Sequence, residues 1–80
     1  MEIGGYAVRP TKHFILEYMR KWDYDVDSLK KVLQNAYKID KVGKNKYEAY
    51  IRTKRESRKI IFVKDDEYKE IIVISGAEGN

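Results

Sequence analysis

Residues 59–75 read KIIFVKDDEYKEIIVIS, and the fold turns on how they are interpreted. Ile60, Ile61, Phe62 and Val63 form one apolar run, and Ile71, Ile72, Val73 and Ile74 form a second. Each run is too short for a helix. β-Branched side chains dominate both, and these fit an extended backbone better than a helical one. Neither run contains a polar alternation, so both are expected to be strands buried on both faces, at the centre of a small sheet. The polar stretch KDDEYK between them holds the turn of an antiparallel hairpin.

Upstream, KYEAYIRT alternates. Tyr47, Ala49 and Ile51 share one face while Glu48, Tyr50 and Arg52 share the other, the pattern of a strand buried on one side. TKRES makes the turn into the first apolar run. Further back, Tyr37 and Ile39 alternate with Lys38 and Asp40, which predicts one more strand, and Gly43 and Asn45 supply the turn after it. Before Tyr37 the period is helical. Leu29, Val32, Leu33 and Ala36 give the core face of a second helix capped by Asp25 or Asp27, with Lys30, Lys31 and Gln34 outward. Phe14, Ile15, Tyr18, Met19 and Trp22 form the apolar stripe of a first helix, capped by Thr11 and ending near Trp22 or Asp23. The linker between the helices is short, which favours an antiparallel pair.

The fold class expected is α+β: two N-terminal helices packed on one face of a four-stranded antiparallel meander. Tyr6-Ala7-Val8 is either an extra edge strand or part of a frayed terminus, with Pro10 stopping any ladder. Residues 1–10 and the tail 76–80 are expected to be flexible. The second sheet face must meet water, a partner, or a copy of itself.

Eighty residues make one domain, 1–80. With no Cys there is no disulfide, thiolate nucleophile or Cys-based metal site, and a single His builds no zinc site of the usual kind. No cofactor motif is present, and Asp65-Asp66-Glu67 lack the ligand spacing of a calcium loop. No apolar run approaches the ~18 residues of a membrane span, and the N-terminus lacks the build of a signal peptide. A soluble cytoplasmic protein is expected.

Net charge is +4, unevenly spread. Residues 41–63 carry eight Lys/Arg against two Asp/Glu, a surplus of six that points to a polyanionic partner. The densest part runs from Arg52 to Lys59 and includes Lys54, Arg55 and Arg58. Arg55 and Arg58 are candidates for gripping phosphate and stabilising its charge, and Arg52 for positioning. Lys54, Lys59, Lys44 and Lys46 extend the basic surface. The plainer reading of the cluster is a charged hairpin tip that keeps an edge soluble. Tyr50, beside Arg52 on the polar face of its strand, can stack an unpaired base or form a cross-strand packing pair. His13 is the only side chain whose ordinary pKa suits acid–base work at neutral pH, and His13 or Tyr50 is the candidate for proton transfer. The plainer reading of His13 is an exposed helical histidine.

A further pattern runs through Leu16, Glu17 and Met19 on the first helix, Tyr24 and Asp25 after it, and Leu29 to Leu33 on the second. It continues with Tyr47, Ile60 to Val63, and Ile72-Val73-Ile74-Ser75 in the strands. Over residues 13–75 the chain resembles the RelE/BrnT-like toxin superfamily, and more narrowly a branch of small single domains within it. Phe14 falls where that branch has its His, with His13 one position earlier, and Tyr18 and Trp22 stand where it has two helix arginines. The resemblance implies a metal-independent, RNA-cleaving toxin-like domain with RNA as substrate and an antitoxin protein as partner. Two alternatives accompany it. One is a non-catalytic nucleic-acid- or protein-binding module of the same fold. The other is a scaffold whose open sheet face or edge forms a homodimer or holds an antitoxin segment by strand addition.

Overall fold

The structure, a computed structural model, describes residues 4–79. The elements are β1 (Ala7–Pro10), a helix over residues 12–22 (α1), α2 (Val26–Gln34), β2 (Lys38–Lys41), β3 (Lys46–Arg52), β4 (Ser57–Asp65) and β5 (Glu70–Gly79). They form an α+β arrangement around one five-stranded sheet of order β1-β5-β4-β3-β2. Neighbours from β2 to β5 are antiparallel, whereas β1 runs parallel to β5. The sheet is therefore mixed, and the expectation of four antiparallel strands is corrected.

The optional edge strand exists, displaced to Ala7–Pro10. Pro10 does not stop the ladder: it pairs with Val73, and the next amide, Thr11, donates to the Val73 carbonyl at 2.9 Å. A proline is tolerated there because β1 is an edge strand. Residues 76–79, expected to be loose, continue β5 and pair with 57–60 of β4. The flexibility expected of residues 1–3 and Asn80 lies outside the described residues.

Thr11 caps α1 through its hydroxyl, which accepts from the Phe14 amide at 3.3 Å. The middle of α1, Ile15–Met19, is a π-helical turn between two short α-helical pieces. A π-turn holds more residues than an α-turn, so the buried positions become Phe14, Met19 and Trp22, spaced by five and then three. Ile15, expected on the buried stripe, is 41% exposed as a result. The helix ends in a Schellman arrangement. Asp23 takes the left-handed conformation at φ 57°, the Tyr24 amide donates to the Met19 carbonyl and the Asp23 amide to the Arg20 carbonyl. Asp25 then caps α2 by accepting from the Ser28 amide at 2.7 Å.

Phe14, Met19 and Trp22 of α1 and Leu29 and Leu33 of α2 belong to one buried cluster with Ala49, Ile51, Ile60, Phe62, Ile71 and Val73 of the strands. Within each strand these residues are alternate positions, and the register sets Ala49 opposite Ile60 and Phe62 opposite Val73, so they define one face of the sheet. On the opposite face, Ile61, Val63, Ile72 and, past an irregularity in β5, Ala77 are only half-buried and lie outside the cluster. The expected burial of β4 and β5 on both faces is thus corrected, because the described chain has no layer for the second face.

The pairing of β5 with β4 contains one irregularity. Ile61 pairs with Ser75 but Phe62 pairs with Val73, so Ile74 is an extra residue in β5. Past this bulge the parity flips. Gly76 and Glu78, rather than Ser75 and Ala77, join Val73 on the helix side. A Cβ on Gly76 would lie 2.9 Å from the Trp22 ring. Only a glycine lets the indole lie this close to the strand.

Candidate functional site

Strand pairing divides the basic segment. In β3 and β4, Tyr50 pairs with Lys59, Arg52 with Ser57, and Glu48 with Ile61. These residues share the uncovered face. Across β2, Lys38 pairs with Tyr50 and Asp40 with Glu48. Tyr50, Arg52 and Lys59, three of the candidates singled out in the sequence, therefore lie together on one open surface.

Two tyrosines organise it. The rings of Tyr37 and Tyr50 are 6.4 Å apart. The Arg52 guanidinium lies over the Tyr37 ring at 5.0 Å and the Lys38 ammonium over the Tyr50 ring at 5.4 Å. The Tyr50 hydroxyl donates to Glu48 Oε1 at 2.9 Å, and Lys59 Nζ lies 3.6 Å from Glu48 Oε2. That hydrogen bond, together with burial, pushes the Tyr50 pKa up, so the hydroxyl keeps its proton. Beside this group lies a cleft of about 340 Å³ lined by Tyr37, Tyr50, Ser57 and Lys59, together with Arg58, Ala77, Glu78 and Gly79. On the β5 side the lining is Ala77, Glu78 and Gly79, while the β3 and β4 side is aromatic and cationic.

The turn at residues 53–56 stands at one end of this cleft. Thr53 closes it: its hydroxyl donates to the Glu56 carbonyl at 2.9 Å and accepts from the Arg55 and Glu56 amides. Lys54 and Arg55 project from the turn and are exposed. Among the described residues no carboxylate pairs with Arg52, Lys54 or Arg55, whereas Lys38 and Lys59 are matched by Asp40 and Glu48.

Arg58 goes elsewhere. It pairs with Ile51, on the helix side of the sheet. Its guanidinium bonds Glu56 at 2.9 Å and the Tyr24 hydroxyl at 3.1 Å, and lies 4.9 Å from the Trp22 ring centre. Burial pulls its pKa down, but the bonds to Glu56 and Tyr24 outweigh this and leave it raised. His13 is exposed near the start of α1, with its ring 6.2 Å from Tyr18. Tyr18 in turn packs on Trp22, their ring centres 4.9 Å apart. His13 and Arg58 thus stand at opposite ends of a row of rings, on the other side of the sheet from Tyr50. Lys44 and Lys46 are exposed near the start of β3. From Lys46 to Arg52 the strand spans about 20 Å, so these lysines belong to the far end of the face.

Tyr37, Lys38 and Glu48 are site residues that the sequence reading misses. Alternation alone puts Tyr37 on one face with Ile39. It instead lies just before β2, donates its amide to the Tyr50 carbonyl at 3.0 Å, and turns its ring to Tyr50 and Arg52. The signal for it would be the register of β2 on β3, which depends on the conformation of the loop at 42–45.

Among the described residues, no group of three or more His, Asp or Glu is placed to hold a metal ion, and no helix is long and apolar enough to cross a membrane. Comparison with known proteins returned no match to a family model, to a curated protein or to a solved structure.

Proposed function

We propose that this chain binds single-stranded RNA on the open sheet face and does not cleave it. The observation that carries the reading is the Tyr37–Tyr50 pair, with cations over both rings, beside an open cleft. Aromatic rings on an uncovered sheet stack unpaired bases, each worth about 1–3 kcal/mol by alanine substitution. Among the described residues, Arg52, Lys54 and Arg55 are the cations at the turn end that have no carboxylate to leave, so a phosphate is their natural counter-ion. RNA is taken ahead of DNA on the toxin-like pattern of the sequence.

A binding module is favoured over a ribonuclease because His13 and Arg58 lie away from the open face, and Tyr50, the proton-transfer candidate that does lie with Arg52, keeps its proton through its bond to Glu48. Arg58 is engaged by Glu56, Tyr24 and Trp22. His13 and Tyr50 are on opposite sides of the sheet. Cleavage through the 2′-hydroxyl needs a proton acceptor and a cation at one phosphate.

The test is fluorescence anisotropy with an end-labelled single-stranded RNA in the presence of chelator, followed by a denaturing gel of the same samples. Tyr50→Ala should weaken binding about 5- to 100-fold and leave the circular dichroism spectrum intact. Wild-type affinity in a folded Tyr50→Ala protein refutes the site. Chelator-resistant cleavage by the wild type restores the ribonuclease reading.

A further inference from the structure

Resting on the binding reading above, we infer that the open face selects guanine and that the carboxylate of Glu48 is the group that reads it. Arg52, Tyr50 and Glu48 are alternate residues of β3 and so follow one another along the same face. From Arg52 to Glu48 the strand covers about 14 Å. Glu48 bonds the Tyr50 hydroxyl and Arg52 lies over Tyr37 beside the Tyr50 ring, so both charged ends border the tyrosine pair. A nucleotide with its phosphate toward Arg52, Lys54 and Arg55 and its ring on Tyr50 presents its base edge to Glu48.

Glu48 is held ready for that edge. Its Oε1 accepts from Tyr50 at 2.9 Å and its Oε2 faces Lys59 at 3.6 Å. An ionised carboxylate has about four lone-pair sites and accepts only, so each oxygen keeps an open position. Its side chain is 21% exposed, which limits competition from water. The other carboxylate nearby, Asp40, sits one strand further out on the sheet edge, 3.5 Å from Lys38.

The bases differ in what they offer such an acceptor. Guanine places the N1–H and N2–H donors side by side, matching two carboxylate oxygens. Adenine and cytosine offer one amino group beside an acceptor nitrogen, which the carboxylate repels. Uracil offers N3–H between two carbonyl oxygens, and these are also repelled. A good two-pronged contact to a base discriminates by about five- to a hundredfold.

The experiment uses the full chain and labelled single-stranded RNA octamers: U8, and U8 with one central G, inosine, A or C. Inosine keeps N1–H and lacks the N2 amino group. The G octamer should bind about tenfold or more tighter than U8, inosine should fall between, and A and C should bind no tighter than U8. Glu48→Gln should bind all five alike. Glu48→Asp, which keeps the charge but loses reach, should lower the preference as a second variant. Equal binding of all octamers by the wild type overturns the guanine preference while the binding site itself stands. A preference that survives in both folded Glu48 variants overturns Glu48 as its reader. If no octamer binds, the binding reading fails and the preference with it.

Discussion

The sharpest consequence of the site is a salt dependence set by three named side chains. Arg52, Lys54 and Arg55 have no carboxylate partner among the described residues, whereas Lys38 and Lys59 are matched by Asp40 and Glu48. Only cations without an internal partner release a full counter-ion from RNA. For a single strand, the logarithm of affinity falls with the logarithm of salt by about 0.7 per phosphate neutralised. Three contacts give a slope of about −2.1, so raising salt from about 50 to 200 mM weakens binding about 18-fold. Replacing all three residues with alanine should bring the slope close to zero, and the fold should survive because Lys54 and Arg55 are exposed turn residues and Arg52 ends its strand. The assay is anisotropy of a labelled single-stranded RNA at four or more salt concentrations, with circular dichroism of both proteins. Wild-type binding with a flat salt response would refute the phosphate assignment. An unchanged slope in the triple variant would place the contacts elsewhere, with Lys44 and Lys46 first in line.

Three further outcomes test the fold that holds the site. In Gly76→Ala the new Cβ meets the Trp22 ring at 2.9 Å and the Lys59 carbonyl at 3.1 Å; because one clash is with backbone, overpacking falls in the upper part of its range, about 2–3 kcal/mol, and against a backbone gain of about 0.5–1 leaves a net loss of about 1–2.5. Urea unfolding followed by the fluorescence of the single tryptophan measures it, and unchanged stability would mean that Trp22 does not sit on Gly76. Asp23→Gly relieves a left-handed residue at φ 57°, worth about 1–2 kcal/mol less about 0.5–1 for the more flexible unfolded chain; the melting temperature should rise, and a fall would refute the assigned helix end. Hydrogen bonds from Lys21 and then Trp22 hold the Glu78 carboxyl at about 2, down from the ordinary 4.5. Because the folded value is the lower one, this contribution is full above pH 4.5 and is lost as pH falls toward about 2. Glu78→Gln should flatten the acid limb of a melting-temperature profile, and identical profiles would remove the assignment.

Much of this fold is legible because its polar and apolar residues alternate at the period of the element they build. The i, i+3, i+4 spacing of Leu29, Val32 and Leu33 specifies one helical face, and Leu29 and Leu33 are buried as that spacing requires. Tyr47, Ala49 and Ile51 against Glu48, Tyr50 and Arg52 specify the two faces of β3, and this alternation is why Tyr50 and Arg52 can be placed on an open surface. Where alternation is missing, the information is missing too. Ile71 to Ile74 are apolar without interruption, so no pattern fixes which of them faces the core or where an extra residue enters. The bulge at Ile74 is set by a long-range fit: Gly76 must lie under Trp22, and Glu78 must reach the indole and Lys21. The π-turn in α1 is of the same kind. Phe14, Ile15, Leu16, Tyr18, Met19 and Trp22 supply apolar groups for more than one helical phase, and the seat on the sheet chooses Met19 over Ile15.

The basic cluster shows how a site can be half legible. Arg52, Lys54, Arg55, Arg58 and Lys59 are close in sequence, and proximity alone makes them one phosphate-binding group. The pleat separates them, because successive residues of a strand point to opposite faces. Arg58 has the parity of Ile60 and Phe62, and that parity sends it toward Trp22, Tyr24 and Glu56. Lys59 has the parity of Ile61 and joins Tyr50 and Glu48 instead. The assignment of Arg58 is thus within reach of the same alternation rule that places Tyr50. Its partners are not, since Trp22 and Tyr24 reach it only through the packing of α1 on the sheet. Here Arg58, of core parity, is consumed in holding the end of α1, while Arg52, of the other parity, has no carboxylate partner among the described residues. The open face therefore carries Arg52 and Lys59, with Lys54 and Arg55 at the turn above them, and this is the reason the proposed recognition is placed there rather than around the helices.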